Sequence, residues 1–209
     1  RRRAGVSAAR PSTQGYRLSA TGGSAIDVAG MVIALPAHAA ARLLLGLDAA
    51  VARSLQEVTY LPSLSVSLAY RREQIGTRLE GTGFLTAPGA TDALRACTFA
   101  SLKFGGRSPD GHLLLRAFLA WGEAEARSLA HARLASILKI SGEPLWARVF
   151  HWPRGIPVYT PGHARRLEAV RKRLAAFPPV ALCGAGYDGP GVSACVRSGR
   201  VAARQVLRR

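Results

Sequence analysis

Apolar residues along this 209-residue chain change their spacing twice. GYRLSA (Gly15 to Ala20) and AIDVAG (Ala25 to Gly30) are short strand-like runs on either side of the turn TGGS. MVIALP, Met31 to Pro36, is an unbroken apolar run ended by proline, which predicts a strand buried on both faces. HAAARLLLGL and LDAAVARSLQEV then take helical spacing. The middle of the chain reads differently. SVSLAYR (Ser65 to Arg71), GTGFLTAP (Gly81 to Pro88), RACTFASLKF (Arg95 to Phe104) and GHLLLRAFLAW (Gly111 to Trp121) are strand-like, with PGATD and GGRSPDG as turns between them. Successive strands with short connections predict an antiparallel sheet. EAEARSLAHARLASILKI (Glu123 to Ile140) predicts an amphipathic helix closed by SGEP, with early carboxylates and later basic residues suiting its dipole. PLWARVFHWP returns as a strand. The spacing then predicts a basic helix over HARRLEAVRKRLAAF (His163 to Phe177), a strand at VALC and a closing helix at VSACVRSGRVAARQVL.

Strand and helix at the start, and helix, strand and helix at the end, flank the inserted sheet. The expected fold class is therefore α/β plus α+β: residues 1–55 and 153–209 form two segments of one α/β domain, and residues 56–152 form the inserted domain. The first residues, RRRAGVSAARPSTQ, carry arginines with no apolar run behind them, so a secretory signal is not expected there and the stretch reads as a loop or a cut edge.

Charge narrows the class of partner. Twenty-nine Lys and Arg against twelve Asp and Glu give a formal charge of +17, which favours an anion: nucleic acid, a membrane surface or a polycarboxylate ligand. Basic residues interleaved with aromatics, or a reading helix, would support nucleic acid, and neither is present. The expectation is no nucleic acid. Cys97, Cys183 and Cys195 lack C-x-x-C spacing and a histidine pair, so no metal site is expected and the thiols are taken as free. VAGMVIALPAHAAARLLLGL is interrupted by Pro36, His38 and Arg42 and does not read as a membrane span. The expected location is the cytoplasm, with peripheral contact to a membrane surface as the alternative.

GAGYDG, Gly184 to Gly189, satisfies G-x-G-x-x-G, the dinucleotide-binding fingerprint. That fingerprint needs a second strand carrying an acid about twenty residues further on. The printed sequence ends at Arg209 with no carboxylate in reach, so a pyrophosphate loop is not the expected reading of this stretch. No G-x-S-x-G elbow or H-E-x-x-H helix is present either, and no catalytic residue is assigned.

Four segments together carry a resemblance. VIALPAHAAARLL, FASLKFGGRSPDGHLLLRAFLAW, WPRGIPVYTPGH and GAGYDGPGVSACVRSG resemble, in order, segments of the flavin-dependent protoporphyrinogen and coproporphyrinogen oxidases, relatives of the amine oxidases. The resemblance runs from Gly15 to Leu207 and covers the C-terminal half of that family. It implies the C-terminal part of a Rossmann-like FAD-binding domain with an inserted antiparallel-sheet substrate domain. The family's own G-x-G-x-x-G lies near the N-terminus of a longer protein, so a chain lacking the principal cofactor-binding unit, inactive alone and partnered by an N-terminal half, is expected.

The resemblance also implies roles. FAD would oxidise a porphyrinogen to a porphyrin in haem biosynthesis, with molecular oxygen as the final acceptor. Trp152 and Ile156 would line the flavin, and the turn at Gly184, with Pro190, Gly191 and Val192 after it, would approach its ring. Phe99 would pack on a ring of the tetrapyrrole, with Phe84 and Leu85 near the pocket wall. Read from the residues alone, Trp152 is a core aromatic and Phe84 and Phe99 are inward strand residues. Ser193 is a candidate helix cap, and His163 is either a cap or a functional residue. Ala185 and Ala194 stand where the family often has Asn and usually has Asp. Arg95, Arg116 and Arg154 are candidates for substrate carboxylates or solvated surface residues, and the charge leans toward coproporphyrinogen, with four propionates against two. The alternative is a non-catalytic module that retains the fold and holds a tetrapyrrole or a partner.

Overall fold

In the computed structural model, which describes residues 5–87, 93–120 and 124–208, the chain opens with β1 (Val6–Ser12), β2 (Gly15–Ala20), β3 (Ala25–Val28) and β4 (Met31–Ile33). Helices α1 (Ala37–Leu44) and α2 (Ala49–Gln56) follow. The middle runs β5 (Tyr60–Arg71), β6 (Gly83–Leu85), β7 (Leu94–Phe99), α3 (Ala100–Lys103), β8 (His112–Leu119), α4 (Ala126–Leu138) and β9 (Trp146–Pro157). The chain closes with α5 (His163–Leu174), β10 (Val180–Leu182) and α6 (Val192–Leu207). It forms two compact units, one of residues up to 60 and from 157 onward, the other of residues 61–156.

The first unit joins the two ends of the sequence. Strands β4 and β10 pair in parallel, Met31 opposite Val180 and Ile33 opposite Leu182, across almost the whole chain. Parallel partners need a long connection between them, and here residues 34–179 supply it. Met31 and Ile33 are buried but Val32 is 40% exposed, which corrects the expectation of burial on both faces: alternation sends Val32 away from the core. Strands β1, β2 and β3 form an antiparallel meander. Val6–Ser12 is thus a strand rather than the expected loop; its small and polar residues carry no period, and pairing with β2 imposes the extended backbone. Tyr16 is fully buried and its hydroxyl donates to the Pro178 carbonyl at 2.7 Å, while burial pushes its pKa up to about 12.

The helices of this unit follow sequence rules. Asp48 caps α2, its Oδ1 accepting from Ala50 and Val51 at 2.8 and 3.0 Å, and its Oδ2 lies 2.8 Å from Arg173 of α5. The α5 residues Leu167, Val170 and Leu174, at helical spacing, are buried against Leu44, Val51 and Leu55 in one core. The α6 span matches the expected closing helix, but its cap is Gly191 rather than Ser193. Glycine reaches the φ of 96° at that position, so the helix begins at Val192 and Ser193 falls inside it.

The second unit is a five-stranded sheet in the order β6-β7-β8-β5-β9, antiparallel in its registered pairs. Val66, Leu68 and Tyr70 of β5 lie opposite Ala117, Leu115 and Leu113 of β8, so one face is apolar throughout. Helix α4 buries Ala126, Ala130, Leu134 and Leu138, a stripe of every fourth residue in the same core. Its end is set by Lys139 at φ 50°, so the lysine expected in the last turn lies just past the helix; Glu123 lies outside the described residues. The run expected as one strand through Phe104 ends at Phe99 and turns into α3, where Ser101 Oγ accepts from the Leu114 amide at 3.0 Å. Strand β9 continues through Pro153, which an edge strand tolerates because one row of its amides needs no partner. The expected turn PGATD and Trp121 lie outside the described residues.

Candidate functional site

The turn between β10 and α6 brings together Gly184, Pro190, Gly191 and Val192. Gly184 has φ 118° and Gly191 φ 96°, and a side chain built on either would meet nothing within 4 Å, so this backbone faces open space. Val192 is 82% exposed, and among the described residues no side chain caps the first turn of α6. Its amides carry the positive end of a helix dipole.

The turn is latched from beneath by side chains that sequence reading gave no role. Tyr159 donates its hydroxyl to the Ala185 carbonyl and accepts the Gly189 amide at 2.8 Å. Tyr187 is 5% exposed and donates to the Leu35 carbonyl at 2.8 Å. Tyr60 Oη accepts the Ala37 amide at 2.9 Å, and a methyl on Gly186 would stand 2.4 Å from that oxygen, so only glycine lets the backbone pass there. Ser198 of α6 accepts the Gly184 amide at 3.1 Å and donates to Asp188 at 2.6 Å, and Asp188 also pairs with Arg171 of α5. The only sequence signal for Tyr159 was its place in the Y-x-x-G-H stretch; the others lie 10 to 152 residues from their partners.

His163 is the first residue of α5, 6% exposed, and its ring stacks on Tyr159 with centroids 4.3 Å apart and planes 10° from parallel. The helix cap is Gly162, so His163 is not the cap. Burial, with Arg166 and Arg171 adding to it, holds the imidazole below its ordinary pKa and keeps it neutral near pH 7. Burial likewise raises the Tyr159 and Tyr187 phenols, so both remain hydrogen-bond donors at any physiological pH.

In the sheet unit, Trp152 and Ile156 lie on β9, 59% and 49% exposed, so Trp152 is not a core aromatic. Phe84 and Phe99 share one sheet face with ring centroids 6.1 Å apart; Phe99 is 4% exposed and belongs to the core with Leu94 and Leu115, and Phe84 packs against that core. Leu85, next to Phe84 in β6, points to the opposite face and is 83% exposed. The three expected substrate residues therefore do not share a surface. Arg95, Arg116 and Arg154 are all exposed.

Cys97 and Cys183 are buried free thiols, and Cys195 is a half-buried one. Among the described residues no group of three or more His, Cys, Asp or Glu could hold a metal ion, and no helix is long and apolar enough to cross a membrane.

Comparison with known proteins places this arrangement. The family model of flavin containing amine oxidoreductases matches residues 2–207. The chain belongs to that family. Among its relatives, the coproporphyrinogen III oxidase of Bacillus subtilis is 29% identical over 204 residues, 92% of this chain and 43% of the relative. The protoporphyrinogen oxidase of Bos taurus is 30% identical over 201 residues, 88% of this chain and 41% of the relative. A solved structure provisionally assigned as a protoporphyrinogen oxidase, from Exiguobacterium sp. 255-15, is 26% identical with a TM-score of 0.78, covering 99% of this chain and 47% of its own. The chain thus spans less than half the length of these relatives. The resemblance carried by the four segments is established at the level of the flavin-containing oxidoreductase family and its fold.

Proposed function

We propose that this chain is the part of a porphyrinogen oxidase that presents the ring-facing contact of FAD and the substrate sheet. The observation that carries the reading is the open backbone at Gly184 and from Pro190 to Val192, directly after a buried parallel strand, in a chain of a flavin-containing family. The residues present fit a flat, electron-accepting ring. Glycines at 184 and 191 leave room for it, and the first amides of α6 favour negative charge at its edge. The unit of residues up to 60 and from 157 is assigned to the cofactor, and that of residues 61–156 to the substrate.

In this reading Gly184, Pro190, Gly191 and Val192 hold the ring through backbone, and Trp152 and Ile156 of the sheet unit carry exposed apolar surface that the family resemblance assigns to the flavin. Leu85 offers an exposed apolar wall, Phe84 and Phe99 support the strands behind it, and Arg116 or Arg95 pairs with a propionate. When bound, FAD would supply the hydride-accepting chemistry for oxidation of a porphyrinogen, with molecular oxygen as the final electron acceptor. A charge of +17 favours the substrate with more carboxylates, coproporphyrinogen III, over protoporphyrinogen IX. The same charge suits peripheral contact with an anionic membrane surface in the cytoplasm.

The test is a flavin spectrum together with porphyrin formation, followed by Soret absorbance, with each porphyrinogen supplied. The 209-residue chain alone is expected to bind FAD weakly and to turn over neither substrate; combined with a polypeptide bearing the family's G-x-G-x-x-G half, it is expected to be yellow and active. Colourless protein that nevertheless shifts a porphyrin's Soret band, in both settings, would replace the enzyme with a tetrapyrrole-binding module.

A further inference from the structure

The last backbone donor that a side chain holds before α6, among the described residues, is the Gly189 amide. Proline at 190 has no amide, and neither Gly191 nor the first turn of α6 receives a side-chain cap. The body of α6 packs on β10 and β4, so Gly189 is the last held point of the chain leading into its first amides. Its holder is the Tyr159 phenol, which accepts that amide at 2.8 Å while donating to the carbonyl of Ala185, and so closes the turn across four residues. Tyr159 is itself held from behind by its stack on the buried His163, 4.3 Å away at 10°.

We propose that Tyr159 is a positioning residue: its phenol clamps the Gly184–Gly189 turn and thereby aims the N-terminal amides of α6. The proposal rests on reading that turn as the ring-facing contact of the flavin. The other latches act elsewhere. Ser198 and Arg171 tie Asp188 and the Gly184 amide down to α6 and α5, and Tyr187 ties the turn to Leu35. None of them reaches Gly189. Loss of the clamp frees the stretch from Gly189 to Val192 while the base of the turn stays in place. A phenylalanine at 159 keeps the ring and its stack on His163 and removes both bonds, so the substitution isolates the clamp.

Two measurements separate this proposal from the reading beneath it. In the chain alone, amide exchange of residues 185–192 is followed by NMR in Tyr159→Phe, with Tyr187→Phe as the comparison. The expected result is exchange at Gly189 faster by about tenfold in Tyr159→Phe and not in Tyr187→Phe, with amides of β7 and β8 unchanged. Unchanged exchange at Gly189 overturns the clamp and leaves the flavin reading untouched. In the flavin-loaded protein, Tyr159→Phe is expected to shift the flavin reduction potential and visible band. A loosened turn with both properties unmoved overturns the positioning role, and the ring-facing reading with it.

Discussion

In the sheet of residues 61–156, order comes from an apolar face: Leu68, Leu115 and Phe99 lie side by side across three strands, all buried, with Leu134 of α4 upon them. In the turn from Gly184 to Val192, order comes from the Tyr159 and Ser198 hydroxyls, which grip the backbone, and from the turn's own Asp188, whose carboxylate is held by Ser198 and Arg171. The difference is chemical in origin. A sheet can give one whole face to the core and needs no side-chain hydrogen bonds to stay in register. In the proposed reading the exposed part of this backbone faces a flat ligand and cannot be covered, so its own amides and carbonyls are held from below. Rigidity by burial tolerates exchange of one apolar residue for another of similar size; rigidity by hydrogen bonds depends on single atoms.

The largest effect is expected in the sheet. Leu115→Ala empties a site that is fully buried between β5 and β7, and about 2–5 kcal/mol of stability is expected to be lost on denaturant unfolding. A loss well under that would mean that the apolar face is not what orders the sheet. Next is Gly186→Ala, which drives a methyl into Tyr60 Oη and is expected to cost roughly 1–3 kcal/mol by overpacking. In a Tyr60→Phe background the clash is relieved, so the Gly186→Ala penalty should shrink; a double-mutant cycle reads the difference.

Asp48→Ala is expected to cost about 1 kcal/mol, since it removes the cap of α2 and the Arg173 partner. Burial opposes the Asp48 charge, but the Val51 amide, Arg173 and the Ala50 amide outweigh it and hold the pKa below its ordinary value. A depressed pKa in the folded state means stability that is present above the ordinary carboxylate range and lost as pH falls through the folded value. His163 acts in the same direction from its own ordinary range downward. Unfolding measured from neutral to acid pH should therefore slope less steeply in Asp48→Ala than in the parent. The smallest effect on stability belongs to Trp152→Ala, within about 0.5 kcal/mol because the side chain is 59% exposed. Its expected consequence is weakened flavin binding, read as loss of flavin absorbance on gel filtration; a destabilised protein with normal flavin content would return Trp152 to the core.

Local signals located the elements well where they were strong. The apolar spacing of α5 and α6 and the strand-like runs of β5 and β8 follow rules that act within a few residues, whereas the cap at Asp48 was not read. They failed where no local period existed: Val6–Ser12 is extended only because β2 lies beside it, and Ala100–Lys103 leaves the strand where Ser101 bonds back to β8. The burial of Phe99 agrees with its reading as an inward strand residue, whereas the exposure of Trp152 was illegible, since an aromatic in a strand-like run has the same pattern on either face.

By itself the sequence determined the family, through four ordered segments, and the place of the glycine turn between a strand and the closing helix. Only the tertiary structure decided what holds that turn. Tyr159, Tyr187 and Ser198 meet it from 10 to 152 residues away from their partners, and hydrogen bonds of that range leave no period, spacing or composition for a sequence to show. The backbone amides that Tyr159 and Ser198 fix belong to Gly189 and Gly184, whose chemistry lies in the main chain and is invisible until the main chain is folded.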